Sequence, residues 1–313
     1  MNKYILFLLL CLAACHRVGD KIEPKISYVV QDRYLKMLPS PFTPLSLSER
    51  EHAWGKEYQI GIAFARQVDL YQAITAFKRA EILVPDGHQE RKLEMQYEIF
   101  LCYYIGKKYQ EAIDYFDQSQ LRCIDEHFPA YHDLLVILYD CYEQLDKCAN
   151  AEQILDHMKT AFPTTEKKLA ISSALTSGNI YNLEQLSLQY PSDAYLQHIL
   201  NSYDAQKKSV GRAQALNALL PGAGYLYLGQ TQSAITAFLL NGLFITASCI
   251  FFIDGNIPAG VIFTSFEAGW YFGGIYGGGE EAKFYNERTY EKIATPVMNQ
   301  EHLFPILTLK YAF

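Results

Sequence analysis

The chain has 313 residues, of which half are hydrophobic and 19% are charged, and its formal net charge is −7. This length is sufficient for one large or two medium domains with a buried core. The low charged fraction fits a chain with some membrane-embedded surface. Because basic residues form no stripe and the net charge is negative, we expect no nucleic-acid partner.

The first fifteen residues have the pattern of a bacterial lipoprotein signal. Lys3 precedes eleven uncharged, mostly apolar residues, and the sequence Leu-Ala-Ala-Cys ending at Cys15 matches a lipobox. Eleven residues rise only ~16 Å as a helix, which is too short to cross a bilayer core of ~30 Å. We predict that residues 1–14 are a signal peptide and that Cys15 is acylated, for example with palmitate. A plain secretory signal is the alternative.

Residues 15–50 are predicted to be a tether between the lipid and the first domain. Four prolines fall in this stretch, and prolines at such density break helices and stiffen the chain. Ser48 followed by Glu51 matches a capping box, which predicts that a helical region begins there.

A regular spacing recurs within residues 51–206. Ala73, Ala112 and Ala151 are evenly spaced along the chain, and each is followed one helical turn later by a larger apolar residue. This pattern resembles the tetratricopeptide repeat, which has two antiparallel helices per unit, although the step here is longer than the usual one of about 34 residues. The predicted repeat-core residues are Gly61, Phe64, Ala73, Phe77, Ala80, Tyr103, Ala112, Phe116, Tyr142, Ala151 and Leu155.

A degenerate fourth repeat is expected over residues 165–191, followed by a capping helix over 192–206. Arrays of this kind bury a core between units and present a concave groove that binds extended or helical peptide segments. The resemblance therefore implies a protein partner bound through the repeat groove.

Residues 207–288 are predicted to form a membrane module. Residues 232–253 contain no charge and would span ~33 Å as a helix, which is long enough to cross a bilayer. A second apolar run, 257–279, follows the turn Asp-Gly-Asn and contains one charged residue, Glu267. We predict a helical hairpin, with a buried hairpin of a soluble protein as the alternative.

Glycines of the second run stand four residues apart, at Gly269, Gly273 and Gly277, which places them on one helix face. We expect the hairpin to pack through this face. A charged Glu267 inside an apolar membrane helix costs free energy. We therefore expect it to have a hydrogen-bond partner or a functional role. Asn241 on the first helix is the expected hydrogen-bond partner, with two nearby tyrosines as alternatives.

The module also resembles a bacterial family that joins tetratricopeptide repeats to a PGAGxxYxG membrane module. The resemblance covers roughly residues 57–288, with specific motifs in 216–288, and some relatives are fused to the membrane-protein insertion efficiency factor. This chain lacks that domain, has Gly274 where the family has Asn, and carries an additional tail, 289–313. The module residues singled out are Pro221, Gly222, Gly224, Tyr227, Gly229, Asn241, Glu267, Gly269, Trp270, Gly273 and Gly277.

The last seven residues alternate between apolar and polar and predict a short C-terminal strand. This pattern resembles the C-terminal signature of outer-membrane β-barrels, but one strand cannot form a barrel, so a docking strand is expected. Catalytic motifs are lacking: His127 and His132 have no Glu between them, and Gly222-x-Gly224 lacks a third glycine. We expect no catalytic residue, no metal and no cofactor.

The predicted fold class is all-α, a tetratricopeptide-repeat solenoid followed by a transmembrane helical hairpin and a short strand. The predicted function is a non-enzymatic scaffold of the bacterial cell envelope, with repeats facing the periplasm, which assists membrane-protein insertion or envelope assembly. We favour the inner over the outer membrane. One alternative is an outer-membrane protein-assembly lipoprotein, and another is an oligomeric transporter or channel built on the hairpin.

Overall fold

The computed structural model describes residues 17–26 and 32–313, so Cys15 and the predicted signal peptide lie outside the described residues. The described chain is all-helical and contains no strand. Its α-helices, numbered in chain order, are α1 (Asp32–Met37), α2 (Leu47–Glu51), α3 (Ala53–Arg66), α4 (Leu70–Leu83), α5 (Gln89–Ile105), α6 (Tyr109–Gln118), α7 (Tyr131–Gln144), α8 (Cys148–Ala161), α9 (Pro163–Thr176), α10 (Ile180–Gln189), α11 (Ala194–Gln206), α12 (Val210–Leu219), α13 (Ala223–Tyr227), α14 (Thr231–Ile253) and α15 (Ile257–Gln300).

Contacts between residues divide the chain into two compact units. We call residues 32–174 with 297–313 the array unit, and residues 17–26 with 175–296 the apolar unit. The sequence places the end of the repeats at residue 206, whereas the division falls after residue 174. Helices α10 and α11, expected to be part of a fourth repeat and its cap, therefore group with the apolar unit.

Three consecutive helix pairs in the array unit, α3–α4, α5–α6 and α7–α8, share one turn geometry. Val68, Lys107 and Asp146 have left-handed backbones, with φ of 62°, 55° and 56°, and they recur with the same step as the predicted repeat. The same backbone hydrogen bond closes each turn: Asp69 N–H to Phe64 O (3.0 Å), Lys108 N–H to Tyr103 O (2.9 Å) and Lys147 N–H to Tyr142 O (2.9 Å). The period seen in the sequence is therefore present in the backbone.

A glycine packed against an aromatic ring joins the first helix pair. A Cβ on Gly61 of α3 would lie 2.6 Å from the ring of Phe77 on α4, so only glycine admits this approach. Among the predicted repeat-core residues, burial is complete for Gly61, Ala73, Phe77, Ala80, Ala112 and Ala151 and partial for Phe64, Tyr103, Phe116, Tyr142 and Leu155.

The segment expected to be a tether contributes buried side chains to both units. Val18 and Ile22 are buried in the apolar unit, and Leu45 is buried in the array unit. These apolar side chains remove surface from water and so tie the segment to the helices. The described parts of this segment, residues 17–26 and 32–50, are therefore more than a free linker.

The first capping box lies two residues before the predicted one. Glu49 N–H donates to Ser46 Oγ (3.3 Å), and Ser46 N–H donates to Glu49 Oε2 (2.7 Å). Both Ser46 and Ser48 have a glutamate three residues later, but Ser46 has the extended backbone that an N-cap requires. The prediction of Ser48 with Glu51 was wrong for this reason.

The predicted C-terminal strand is also wrong. Residues Pro305–Thr308 form a 3₁₀ turn, and the residues after them have no regular secondary structure. A strand requires a neighbouring strand with which to exchange hydrogen bonds, and the described part of the chain offers none. The main chain of this segment is bonded instead to side chains of the array unit and to the carbonyl oxygen of Pro39.

Candidate functional site

Helices α5 and α7 are buried around their whole circumference. Every residue of 94–102 in α5 and of 132–141 in α7 is buried, whereas a helix covered on one side alternates buried and exposed positions. Two non-helical segments contribute to the covering. The ring of Phe42 contacts the ring of Tyr97 with centroids 5.7 Å apart, and residues 303–313, which we call the tail, contact α7.

The carboxylate of Asp133 on α7 binds two consecutive backbone N–H groups of the tail. Its Oδ2 accepts from Lys310 N–H (2.9 Å) and from Tyr311 N–H (2.8 Å), and its Oδ1 also approaches Lys310 N (3.1 Å). The Asp133 side chain is fully buried. Hydrogen bonds to an ionised acceptor are stronger than neutral ones, and a buried carboxylate depends on them.

His132 contributes to this arrangement rather than to a metal site. Its Nδ1 lies 2.6 Å from Asp133 Oδ1, and its Nε2 lies 2.9 Å from Thr165 Oγ1. These contacts orient the carboxylate. His127, by contrast, is exposed and contacts Asp125. Among the residues that the structure describes, no group of three His, Cys, Asp or Glu side chains could hold a metal ion.

Tyr34 on α1 binds the tail from another element. Its hydroxyl donates to the carbonyls of Leu307 (2.9 Å) and Leu309 (3.3 Å). Burial, together with the negative charge of Asp133, raises the pKa of Tyr34. The hydroxyl therefore stays protonated and available as a donor.

Two further contacts hold the end of the tail. Ala312 N–H donates to the carbonyl of Pro39 (3.0 Å), and Arg66 Nε donates to the main-chain oxygen of Phe313 (3.3 Å). We call Tyr34, Pro39, Arg66 and Asp133 the tail site. Phe313 also lines a small pocket with Leu35, Lys36, Ala65, Arg66, Val68, Leu70 and Ile105.

Acidic side chains are buried in α5 beside this site. Glu94 accepts from the hydroxyl of Tyr58 and from Arg91 Nη1 (2.7 Å). Glu98 is fully buried, and neither of its carboxylate oxygens has a hydrogen-bond partner in the part of the chain that the structure describes. Burial raises the pKa of Glu98 well above its ordinary value, which favours the neutral acid.

In the apolar unit, Asn217 on α12 joins the Pro-Gly-Ala-Gly motif to α15. Its Nδ2 donates to Gly274 O (2.8 Å), and its Oδ1 accepts from Gly224 N–H (2.7 Å). A Cβ on Gly224 would lie 2.2 Å from Ala213 O. The module motif thus creates a close approach of three backbones, in which Asn217 satisfies two buried polar groups.

Gly222 and Gly229 are required by backbone geometry. Gly222 has φ of 94°, and a Cβ there would lie 2.3 Å from the carbonyl oxygen of Ala234 on α14. Gly229, with φ of 80°, ends α13 in a left-handed conformation. The structure therefore explains the glycines of this motif by packing and turn formation.

Tyr227 also packs within the apolar unit. Its hydroxyl accepts from Ser209 N–H (3.2 Å), and Lys208 Nζ lies 4.9 Å from its ring centroid. Its ring lies against a buried apolar cluster of Val18, Val210, Ala213, Leu228 and Ala282. Pro221, which begins the motif, is half-buried.

Helix α14 is long and apolar enough to span a membrane. Only 11% of its most apolar 18-residue stretch is buried. It contacts the first part of α15 through aromatic rings, with Phe251 and Phe263 centroids 5.0 Å apart. The two helices leave large apolar side chains exposed; among them are Phe238, Leu239, Leu243, Phe266 and Trp270. We call these five residues the apolar belt.

The expected packing through the glycine row is wrong. Among the described residues, nothing lies within 4 Å of the Cβ positions of Gly269 and Gly273, and Gly277 faces the hydroxyl of Tyr225 rather than α14. Gly260 is the glycine that meets α14, at the ring of Phe252. Aromatic side chains, rather than a seam of small residues, fill the contact between the two helices.

Glu267 and Asn241 do not form the expected pair. Asn241 is buried, and its Nδ2 donates to Ala237 O of its own helix (2.6 Å). Asn241 Oδ1 and Glu267 Oε2 are both buried without a hydrogen-bond partner in residues 17–26 and 32–313. These two atoms are unsatisfied polar groups inside an apolar helix pair.

Comparison with protein-family models, with curated proteins and with solved structures finds no match to this chain. We therefore infer the function from the tail site and the apolar belt.

Proposed function

We propose that this chain is a non-enzymatic, lipid-anchored repeat scaffold of the bacterial cell envelope. The array unit would be a tetratricopeptide-repeat solenoid that binds an extended segment of a partner protein. Helices α14 and α15 would form a membrane hairpin that keeps this partner near the bilayer.

Exposure of the apolar belt is the observation that carries the proposal. Leu239, Leu243 and Phe266 are 62%, 63% and 62% exposed, and contiguous apolar surface of this kind marks a membrane or protein contact. A helix of 23 residues rises about 34 Å, which matches a bilayer core. The lipobox at Cys15 supports the same conclusion from the sequence.

The resemblance of the module to insertion-factor relatives supports one class of partner, the membrane-protein insertion machinery. In-cell crosslinking of the full chain, followed by purification from separated membranes, tests this assignment. We expect the insertase or translocon to be enriched in the inner-membrane fraction. Enrichment of barrel-assembly proteins in the outer-membrane fraction would instead support the outer-membrane assembly alternative.

Membrane attachment can be tested separately from the choice of partner. Cys15→Ser should remove the lipid, and Leu239→Asp combined with Leu243→Asp should weaken the hairpin anchor. We expect each change alone to leave the chain in the membrane fraction and both together to release it after alkaline extraction. If the doubly altered protein stays in the membrane fraction, the proposed pair of anchors is wrong.

The unsatisfied atoms of Glu267 and Asn241 favour one second candidate, an ion path formed by several hairpins. Glu267→Gln would then abolish flux in proteoliposomes and leave partner crosslinking unchanged. If Glu267 is only an unpaired residue, Glu267→Leu should instead raise the melting temperature in lipid, because it removes a polar group that lacks a partner. The absence of flux in wild type would eliminate this candidate.

A further inference from the structure

The tail site binds main-chain atoms, so it can bind an extended segment without contacting every side chain of that segment. Asp133 accepts N–H groups of Lys310 and Tyr311, and Tyr34 donates to carbonyls of the same segment. Recognition of an extended backbone by side chains and loops is a common mode of peptide binding.

Three tail side chains add specificity to these contacts. Leu309, Ala312 and Phe313 are 3%, 1% and 8% exposed, whereas Lys310 is exposed and Tyr311 is half-buried. The buried pattern is therefore a large apolar residue, a small residue and an aromatic residue, with two less buried positions between the first and the second. Pockets for the buried side chains give such a site its selectivity.

From these contacts we propose that the tail is an intramolecular ligand that occupies the site of a partner's extended segment. That segment carries the same pattern as residues 309–313 and replaces the tail when the partner binds. This inference rests on the proposed scaffold function, which supplies the partner, and it names the chemistry that the partner presents.

An incoming segment can offer Asp133 the same donors as the tail. If the tail left, the carboxylate would lose both backbone donors, and water would take their place. A segment with free N–H groups restores these two bonds to the ionised acceptor, so it can replace the tail at Asp133.

A peptide with the sequence of residues 303–313, labelled with fluorescein, tests the proposal on the full chain in lipid nanodiscs. Phe313→Lys places a positive charge beside Lys36 and Arg66 in the pocket and should release the tail, while Tyr34 and Asp133 remain intact. We expect fluorescence anisotropy to show peptide binding at least tenfold tighter than in wild type. Adding Asp133→Asn should abolish this gain, and Glu301→Gln, at an exposed position before the tail, should match wild type.

Hydrogen exchange provides a readout that does not depend on the variants. In wild type, millimolar peptide should remove protection from the amides of Lys310, Tyr311 and Ala312, because the peptide displaces the tail. Peptide binding without any change at these amides would overturn the proposal. So would a Phe313→Lys protein whose tail amides are unprotected but which binds peptide no better than wild type.

The partner experiments separate this inference from the proposed function. If crosslinked partners persist in cells but the peptide test fails, the scaffold function stands and the tail is a structural element only. If the peptide displaces the tail but no partner is captured, the site binds segments of this pattern and the scaffold function is wrong.

Discussion

The two units of this chain place polar and apolar side chains in opposite ways. In the array unit, acidic residues such as Glu98, Asp133 and Asp140 are fully or almost fully buried. In the apolar unit, leucines and phenylalanines of α14 and α15 are exposed, and little of α14 is buried. Buried charge has to be matched by donors, and exposed apolar surface has to be covered. We therefore propose the first region as a peptide site and the second as a lipid contact.

The largest expected effect comes from introducing a charge into the apolar belt. Leu243→Asp should weaken insertion by about 3 kcal/mol, because a carboxylate at the centre of a membrane helix is costly. Alkaline extraction of membranes from a Cys15→Ser background measures this loss. Ile82→Asp is the matched control, since Ile82 is 82% exposed on α4 of the array unit. Equal extraction of the two variants would show that the belt does not face lipid.

One glycine substitution in each unit tests the comparison between the buried array unit and the exposed apolar unit. Gly61→Ala should destabilise the array unit by about 2 kcal/mol, because the added methyl group meets the ring of Phe77 at 2.6 Å. Gly273→Ala should be neutral or stabilising by about 0.5–1 kcal/mol, since it adds helix propensity where the described residues leave open space. Thermal unfolding in lipid measures both. Substantial destabilisation by Gly273→Ala would indicate that this face is covered in the membrane.

Buried Glu98 predicts a pH dependence in the array unit. Because its pKa is raised in the folded state, with burial the main cause and Glu94 adding to it, only the unfolded chain ionises as pH rises through the ordinary range of a carboxyl group. This contribution to stability is fully present below pH ~4.5 and falls as pH increases. Glu98→Gln should therefore unfold like wild type at low pH and be more stable by about 1–2 kcal/mol at pH 8.

Denaturant unfolding at several pH values measures this difference. Exposed Glu90 lies on the same helix, so Glu90→Gln provides the control and should keep the wild-type pH profile. A Glu98→Gln profile parallel to wild type would mean that Glu98 has a partner in solution.

The smallest expected effect concerns the left-handed turns. Lys107 has φ of 55°, a conformation that costs a non-glycine residue about 1 kcal/mol. Lys107→Gly should therefore stabilise the array unit by up to about 1 kcal/mol in denaturant unfolding. Lys108, with φ of −95°, is the neighbouring control, and Lys108→Gly should give no gain. A gain of the same size at both positions would contradict the turn geometry.

Local patterns in the sequence were sufficient to predict the repeated helix pairs but not the contacts between distant residues. The evenly spaced alanines predicted three helix pairs because each packs against neighbours in its own pair. No sequence pattern predicted the role of Asp133, since its partners Lys310 and Tyr311 lie far away along the chain and contribute backbone atoms only. A hydrogen bond that uses main-chain donors leaves no side-chain pattern.

The apolar unit shows the same limit. Sequence spacing placed Gly269 and Gly273 on one face correctly but could not show what the face meets. Asn217 was missed because an asparagine within an ordinary amphipathic stretch has no distinctive neighbours. Its role appears only when Gly224 and Gly274 approach it from two other elements.

Covalent attachment of the tail sets a threshold for any competing segment. A ligand that belongs to the same chain as its site acts at an effective concentration on the order of millimolar even when the connection is flexible. A free segment with identical contacts would therefore have to reach similar concentrations to occupy half of the sites. At micromolar levels it needs about 4 kcal/mol of additional binding energy from contacts elsewhere. The tail site would thus not bind short peptides that make only the contacts of the tail. It would bind partners that also contact a second surface or are concentrated at the membrane.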